Sequence, residues 1–102
     1  MKAYSYLALG DSYTIGEGVP LPSNFPYQTV QLLRKKGYDF LAPEIVATTG
    51  WTCEELATAF TLLPQESRYD FISLLVGVNN QYRGMPVTEY TVAFEDLLQA
   101  AL

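Results

Sequence analysis

Histidine is missing from all 102 residues. No imidazole can serve as general base or metal ligand, so a serine or cysteine nucleophile activated in the usual way cannot be completed within this chain. Cysteine occurs once, at Cys53. An internal disulfide and a cysteine-based zinc site are thereby excluded, and a reducing, cytoplasmic compartment fits. Basic residues are also scarce, 6 Lys and Arg against 11 Asp and Glu for a net charge of −5. Binding to a phosphate backbone needs a basic stripe, so nucleic acid is not an expected partner. No apolar run reaches the ~18 residues needed to span a bilayer. The segment from Met1 to Leu9 has one lysine and no separate apolar stretch with a cleavage site, and it reads as a strand and not a secretion signal. No glycine-rich loop ends in Gly-Lys-Ser/Thr, which disfavours phosphate-loop nucleotide binding.

What remains has the makeup of one globular domain. Hydrophobic residues form 49% of the chain and aromatics 14%, enough apolar surface to offset chain entropy, while the length leaves no room for a second domain. Residues 3–9 are an apolar, aromatic run that stops at Gly10-Asp11-Ser12, as a strand entering a turn does. A loop with Gly16, Gly18, Pro20, Pro22 and Pro26 follows. Asn24 is placed to cap a helix with Pro26 in its first turn, Val30, Leu32 and Leu33 on its apolar side, and Arg34, Lys35 and Lys36 before Gly37. Residues 44–48 form a second strand, ending at Thr49-Gly50-Trp51. Thr52 and Glu55 have capping-box spacing, and Leu56, Ala59, Phe60 and Leu63 continue at helical spacing up to Pro64. Residues 70–76, with five apolar residues in the last six and no charge after Asp70, form a third strand with the pattern of one covered on both faces. Beyond a loop at Tyr82-Arg83-Gly84, Tyr90, Phe94, Leu97, Leu98 and Ala101 mark one side of a third helix. Strand and helix alternate three times, which implies an α/β fold with a parallel sheet, right-handed crossovers and helices on its faces.

Ligands bind such sheets beyond the C-terminal ends of the strands. Three clusters occupy those ends: Gly10-Asp11-Ser12, Thr49-Gly50-Trp51 and Gly77-Val78-Asn79-Asn80. Ser12, just past a buried strand, can present its hydroxyl as an attacking oxygen. Gly50 lets the backbone approach a ligand with its N–H, and the Asn79 amide and the Ser12 N–H are further donors for a developing oxyanion. One nucleophile with three donors describes an acyl-transfer site. Plainer roles account for other polar residues. Asp11 is expected to stabilise its turn, Glu54 and Glu55 to favour the helix dipole, and Arg34-Lys35-Lys36 to be a solvated helix end. Cys53 is expected to be an inert thiol. Trp51, Tyr13 and Tyr82 flank the clusters and either line a pocket or pack.

This arrangement resembles the SGNH hydrolases, also called the GDSL family of esterases and lipases. Gly10-Asp11-Ser12-Tyr13-Thr14-Ile15-Gly16-Glu17-Gly18 looks like the family's first block, with Ser12 at the nucleophile position; Gly50 stands at the second-block glycine. Gly77-Val78-Asn79-Asn80 is similar to the third block, Gly-x-Asn-Asp, with Asn79 as the oxyanion asparagine and Asn80 in place of the usual aspartate. The last block, Asp-x-x-His, which supplies the base and the carboxylate that orients it, has no counterpart. The resemblance implies a flavodoxin-like three-layer α/β/α fold, present as an incomplete half of three strands and three helices. Residues 1–102 would be the N-terminal portion of one hydrolase domain with sheet order two-one-three-four-five. It implies hydrolysis of a small-molecule ester through Ser12, without a cofactor, and negligible activity for the chain by itself. Residues 71–76 would form a sheet edge needing cover from the missing half or from a second copy. A non-catalytic flavodoxin-like module binding a small ligand in the same crevice is the alternative, followed by an interaction fragment with no pocket.

Overall fold

The computed structural model describes residues 3–63 and 69–101. Its elements are β1 (Tyr6–Gly10), α1 (Ser12–Ile15), a 3-10 turn (Leu21–Ser23), α2 (Phe25–Lys35), β2 (Glu44–Ala47), α3 (Cys53–Thr61), β3 (Phe71–Leu75), α4 (Val78–Tyr82) and α5 (Val87–Ala101). The strands form one parallel sheet in the order β2-β1-β3. Leu7 is level with Glu44 on one side and Ile72 on the other, and Gly10 is level with Ala47 and Leu75. The α/β class and the two-one-three order are as expected from sequence.

Successive strand residues point to opposite faces, and this alternation sorts the core into two layers. Leu7 and Leu9 meet Cys53, Leu56, Val76 and Leu97 on the face covered by α3 and α5, with Val46, Ile72 and Leu74 beside them. Tyr6 and Ala8 meet Val30 of α2 on the other face, with Ile45 and Phe40. Every residue of β1 is buried. Full burial of a leucine is worth about 1.5–3 kcal/mol, so Leu7, Leu9 and Leu56 anchor the first layer.

The long helices begin where their caps put them. The Asn24 carboxamide oxygen accepts from the Tyr27 N–H at 3.0 Å, and its Nδ2 donates to the Ile15 carbonyl at 3.2 Å, tying the start of α2 to the end of α1. Thr52 and Glu55 close both halves of a capping box at α3. That helix ends at Thr61 with Leu62 as its cap; the expected stop at Pro64 lies outside the described residues, as does Met1 of the expected first strand. Tyr4 touches the sheet only through an isolated bridge to Phe40, so β1 starts at Tyr6 and not at residue 3.

The count of three helices needs correction. The turn clusters around Ser12 and Asn79 are themselves helical, as α1 and α4, and the glycine- and proline-rich loop contains a 3-10 turn. Four- and five-residue helices carry too little periodicity to register as a pattern and are not stable in isolation; caps and tertiary contacts hold them. No helix of the described residues is long and apolar enough to cross a membrane.

Candidate active site

The order β2-β1-β3 means that the chain leaves β1 toward one neighbour and later returns on its other side. The crevice beyond β1 and β3 is the place such sheets leave open for a ligand. Since Gly10, Ala47 and Leu75 are level, Ser12, Gly50 and Asn79 stand two, three and four residues past the same edge of the sheet.

At the first end, Asp11 caps α1. Its carboxylate accepts from the Tyr13 N–H at 3.0 Å, and its carbonyl accepts from the N–H groups of Thr14 at 3.1 Å and Ile15 at 3.0 Å. Asp11 is therefore spent on the turn, as its position next to Ser12 suggested. Ser12 is the first helical residue and is half-buried. The approach of α1 to its own strand depends on Gly10, where an added methyl would sit 2.0 Å from the Thr14 hydroxyl and 2.8 Å from the Leu75 carbonyl. Thr14 Oγ1 is buried there without a hydrogen-bond partner.

At the second end, the Trp51 N–H donates to the Thr48 carbonyl at 3.2 Å and closes a turn. Gly50 is its third residue at φ 87°, and Thr49 has no positive φ, which makes this a type II turn with glycine where the backbone requires it. A methyl on Gly50 would meet nothing within 4 Å, so conformation and not crowding dictates the residue. At the third end, Gly77 (φ 145°) starts α4. The Asn79 Nδ2 donates to the Trp51 carbonyl at 2.9 Å, which joins α4 to the Gly50 turn.

Two residues outside the sequence-based set tie the same region together. Asn80 is fully buried; its Oδ1 accepts from the Cys53 N–H at 2.8 Å and its Nδ2 donates to Glu54 at 2.8 Å. Arg83 donates from Nη2 to the Gly50 carbonyl at 2.6 Å and pairs through Nη1 with Glu55 at 3.1 Å. The signal for Arg83 was present, since it is a lone cation close to the third cluster in a chain whose second cluster is followed by two glutamates.

Several polar groups stay uncommitted. Among the described residues none hydrogen-bonds the Ser12 hydroxyl, the Ser12 N–H or the Gly50 N–H, and one N–H of the Asn79 amide is likewise unused. Cys53 offers no competing nucleophile. Burial, reinforced by the charge of Glu54, pushes its thiol up to about 11, so it stays protonated at neutral pH. Of the flanking aromatics, Trp51 packs against the core while Tyr13 and Tyr82 are exposed.

Solved structures that this chain resembles include esterases of the SGNH-hydrolase family. The chain superposes on AlinE4, an SGNH-hydrolase family esterase, with a TM-score of 0.85 at 22% identity over 97% of this chain and 53% of that one. It matches TesA with a TM-score of 0.86 at 21% identity, covering 95% of this chain and 53% of the other. It matches the psychrotrophic esterase EstA from Pseudoalteromonas sp. with 0.82 at 17%, covering 96% and 55%. The chain thus has the flavodoxin-like fold of SGNH hydrolases and spans about half the length of these structures. No family model matches the sequence, and no curated protein does.

Proposed function

We propose that this chain carries the nucleophile and oxyanion donors of an SGNH-type serine ester hydrolase. The reading rests on the set of uncommitted groups: a hydroxyl and two backbone N–H groups without partners, and a carboxamide with one hydrogen to spare, all just past neighbouring parallel strands. Among the described residues Thr14 Oγ1 is the one buried side-chain polar atom without a partner, so the equally unbonded Ser12 hydroxyl reaches solvent and is available to a ligand. The likeness to esterases of the same fold supports it.

In the mechanism that follows, a base from outside these residues removes the Ser12 hydroxyl proton as Oγ bonds to the ester carbonyl carbon. The carbonyl oxygen takes the electron pair, and its negative charge is met by the Ser12 and Gly50 N–H groups and the Asn79 amide. Collapse of the intermediate expels the alcohol, which leaves with the transferred proton, and water attacks the Ser12 ester to release the acid by the same route in reverse. Histidine is absent and the Asp11 carboxylate accepts from the Tyr13 N–H, so this reading assigns the base to a residue outside 1–102. The base therefore comes with the remainder of a hydrolase domain, of which residues 1–102 supply the N-terminal portion. The substrate is a small ester, and the chain by itself is inactive.

The deciding experiment uses the intact protein with a nitrophenyl acetate and a fluorophosphonate probe. Ser12→Ala should abolish labelling and turnover. Asn79→Ala should lower kcat by about 10²–10³ with little change in KM, the usual loss for one oxyanion donor. Labelling that survives Ser12→Ala, or an Asn79→Ala enzyme equal to the parent, overturns the assignment. A protein that is never labelled returns the chain to a ligand-binding module.

A further inference from the structure

The geometry points to Arg83 as the residue that holds the Gly50 turn, and with it the Gly50 N–H, in place beside Asn79, a positioning role resting on the esterase reading above. A type II turn is easily remodelled at its glycine, because that residue lacks the side chain that would restrict its dihedrals. At Gly50 nothing stands within 4 Å of where a Cβ would be, so packing does not fix the turn. Hydrogen bonds do. The Trp51 N–H is held by Thr48, the Trp51 carbonyl by Asn79 at 2.9 Å, and the Gly50 carbonyl by Arg83 at 2.6 Å. Of these three, only the Arg83 bond acts on the glycine's own carbonyl; the Gly50 N–H belongs to the preceding peptide plane, shared with Thr49, so what Arg83 fixes is the position of the Gly50 α-carbon from which that N–H projects, tied to the end of α4.

The guanidinium is itself held. Its second nitrogen meets Glu55 Oε1 at 3.1 Å, an oxygen that also accepts from the Thr52 N–H at 3.0 Å and from the Thr52 hydroxyl at 3.1 Å in the α3 capping box. A rigid planar fork satisfies two acceptors at fixed spacing, as a lysine ammonium on a flexible stem does not. Arg83 also closes α4, its N–H donating to the Asn79 carbonyl at 3.0 Å. One short helix and its C-terminal cap therefore carry both a donor for the oxyanion, Asn79, and the side chain that tethers the turn of a second donor, Gly50. Alignment of a donor matters most when charge develops on the oxygen, so losing Arg83 should act on kcat and leave KM nearly unchanged.

The test measures steady-state ester hydrolysis by the intact protein together with the Gly50 amide resonance in a ¹H–¹⁵N spectrum. Arg83→Met should lower kcat by about tenfold to a hundredfold, less than removal of a whole donor, with KM within about threefold. The Gly50 resonance should move or broaden, and Arg83→Lys should recover part of the rate. Unchanged kcat in Arg83→Met, with Ser12→Ala inactive, overturns this inference and leaves the esterase reading standing. If the parent protein or Ser12→Ala shows that no serine esterase is present, the reading fails, and the Gly50 resonance alone decides the contact: unmoved in Arg83→Met, it overturns that too. Should Arg83→Met not fold, Arg83→Lys carries the measurement. A few-fold loss confined to kcat is then expected, and an enzyme and a Gly50 signal identical to the parent's are the contrary result.

Discussion

At Gly10 the glycine is required by contact and not by dihedral, since only a hydrogen fits between its α-carbon and both the Thr14 side chain and the Leu75 carbonyl. Gly10→Ala should cost about 1–3 kcal/mol, the usual range for overpacking, and a urea titration would measure it. A neutral outcome would mean that α1 can move away from its strand freely. Asn80 presents the opposite case, in which the identity of the polar group matters. An aspartate there would keep the bond from the Cys53 N–H but would turn a carboxylate toward Glu54 where an amide now donates. Asn80→Asp should therefore destabilise the protein by about 1–3 kcal/mol at neutral pH. Relative to the parent the deficit should shrink on acidification, as protonation of either carboxylate restores a donor; chemical denaturation at two pH values checks both statements. Asn80 stands where the resemblance would put an aspartate, and its amide has Glu54 as partner. That partnership was illegible from sequence, because residues 54 and 80 sit on different helices and only the fold brings them together.

Among the elements, α3 shows how much a local pattern can specify. Its capping box, its acidic first turn and its buried Cys53 and Leu56 all follow from the order of residues 52–56. The hydrogen bond from the Thr52 N–H, with further help from the Thr52 hydroxyl and Arg83, holds the Glu55 carboxyl below its ordinary value of 4.5. A carboxyl lowered in the folded state stabilises it fully above that ordinary value and loses the contribution as the pH falls through the lowered one. Thermal stability should thus decline on acidification below about pH 4.5, and the decline should be shallower in Glu55→Gln; identical pH profiles would assign the acid sensitivity elsewhere. Helix α2 was legible for the same reason as α3, since Asn24, Pro26 and the basic last turn announce both ends. Helices α1 and α4 were not legible. Each is shorter than two turns and shows no period; α1 hangs on the local Asp11 cap, which reads as a turn, and α4 starts at Gly77 close against the Tyr90 side chain of α5, a contact that no short window of sequence contains. The candidate site residues are nevertheless marked out in the sequence, because they follow strands and strand ends are conspicuous there, whereas Arg83 reads as part of a loop.

On the scale of the molecule, the two neighbours of β1 are not equally finished. Phe71 and Leu75 lie level with Tyr6 and Gly10, on the face that α2 covers, yet they remain 51% and 48% exposed while β1 is wholly buried. A groove of about 510 Å³ lined by Tyr4, Thr29, Leu33, Tyr38, Phe40 and Phe71 opens beside them. An apolar strand with one free side invites pairing. The 102-residue chain studied by itself should accordingly sediment above monomer mass or melt without a sharp transition, and a compact, cooperatively melting monomer would refute this. The chain spans 53–55% of the length of esterases that share its fold. The central place of β1 also has a temporal side. Of the three strands it is the earliest to be synthesised, yet its partners lie far downstream, with Ser5 and Asp70 bonded across 65 residues. On the ribosome, Tyr6–Gly10 must wait with its ladder groups bare until both later strands have emerged. For that interval the segment destined for the deepest burial is the one most available to a chaperone.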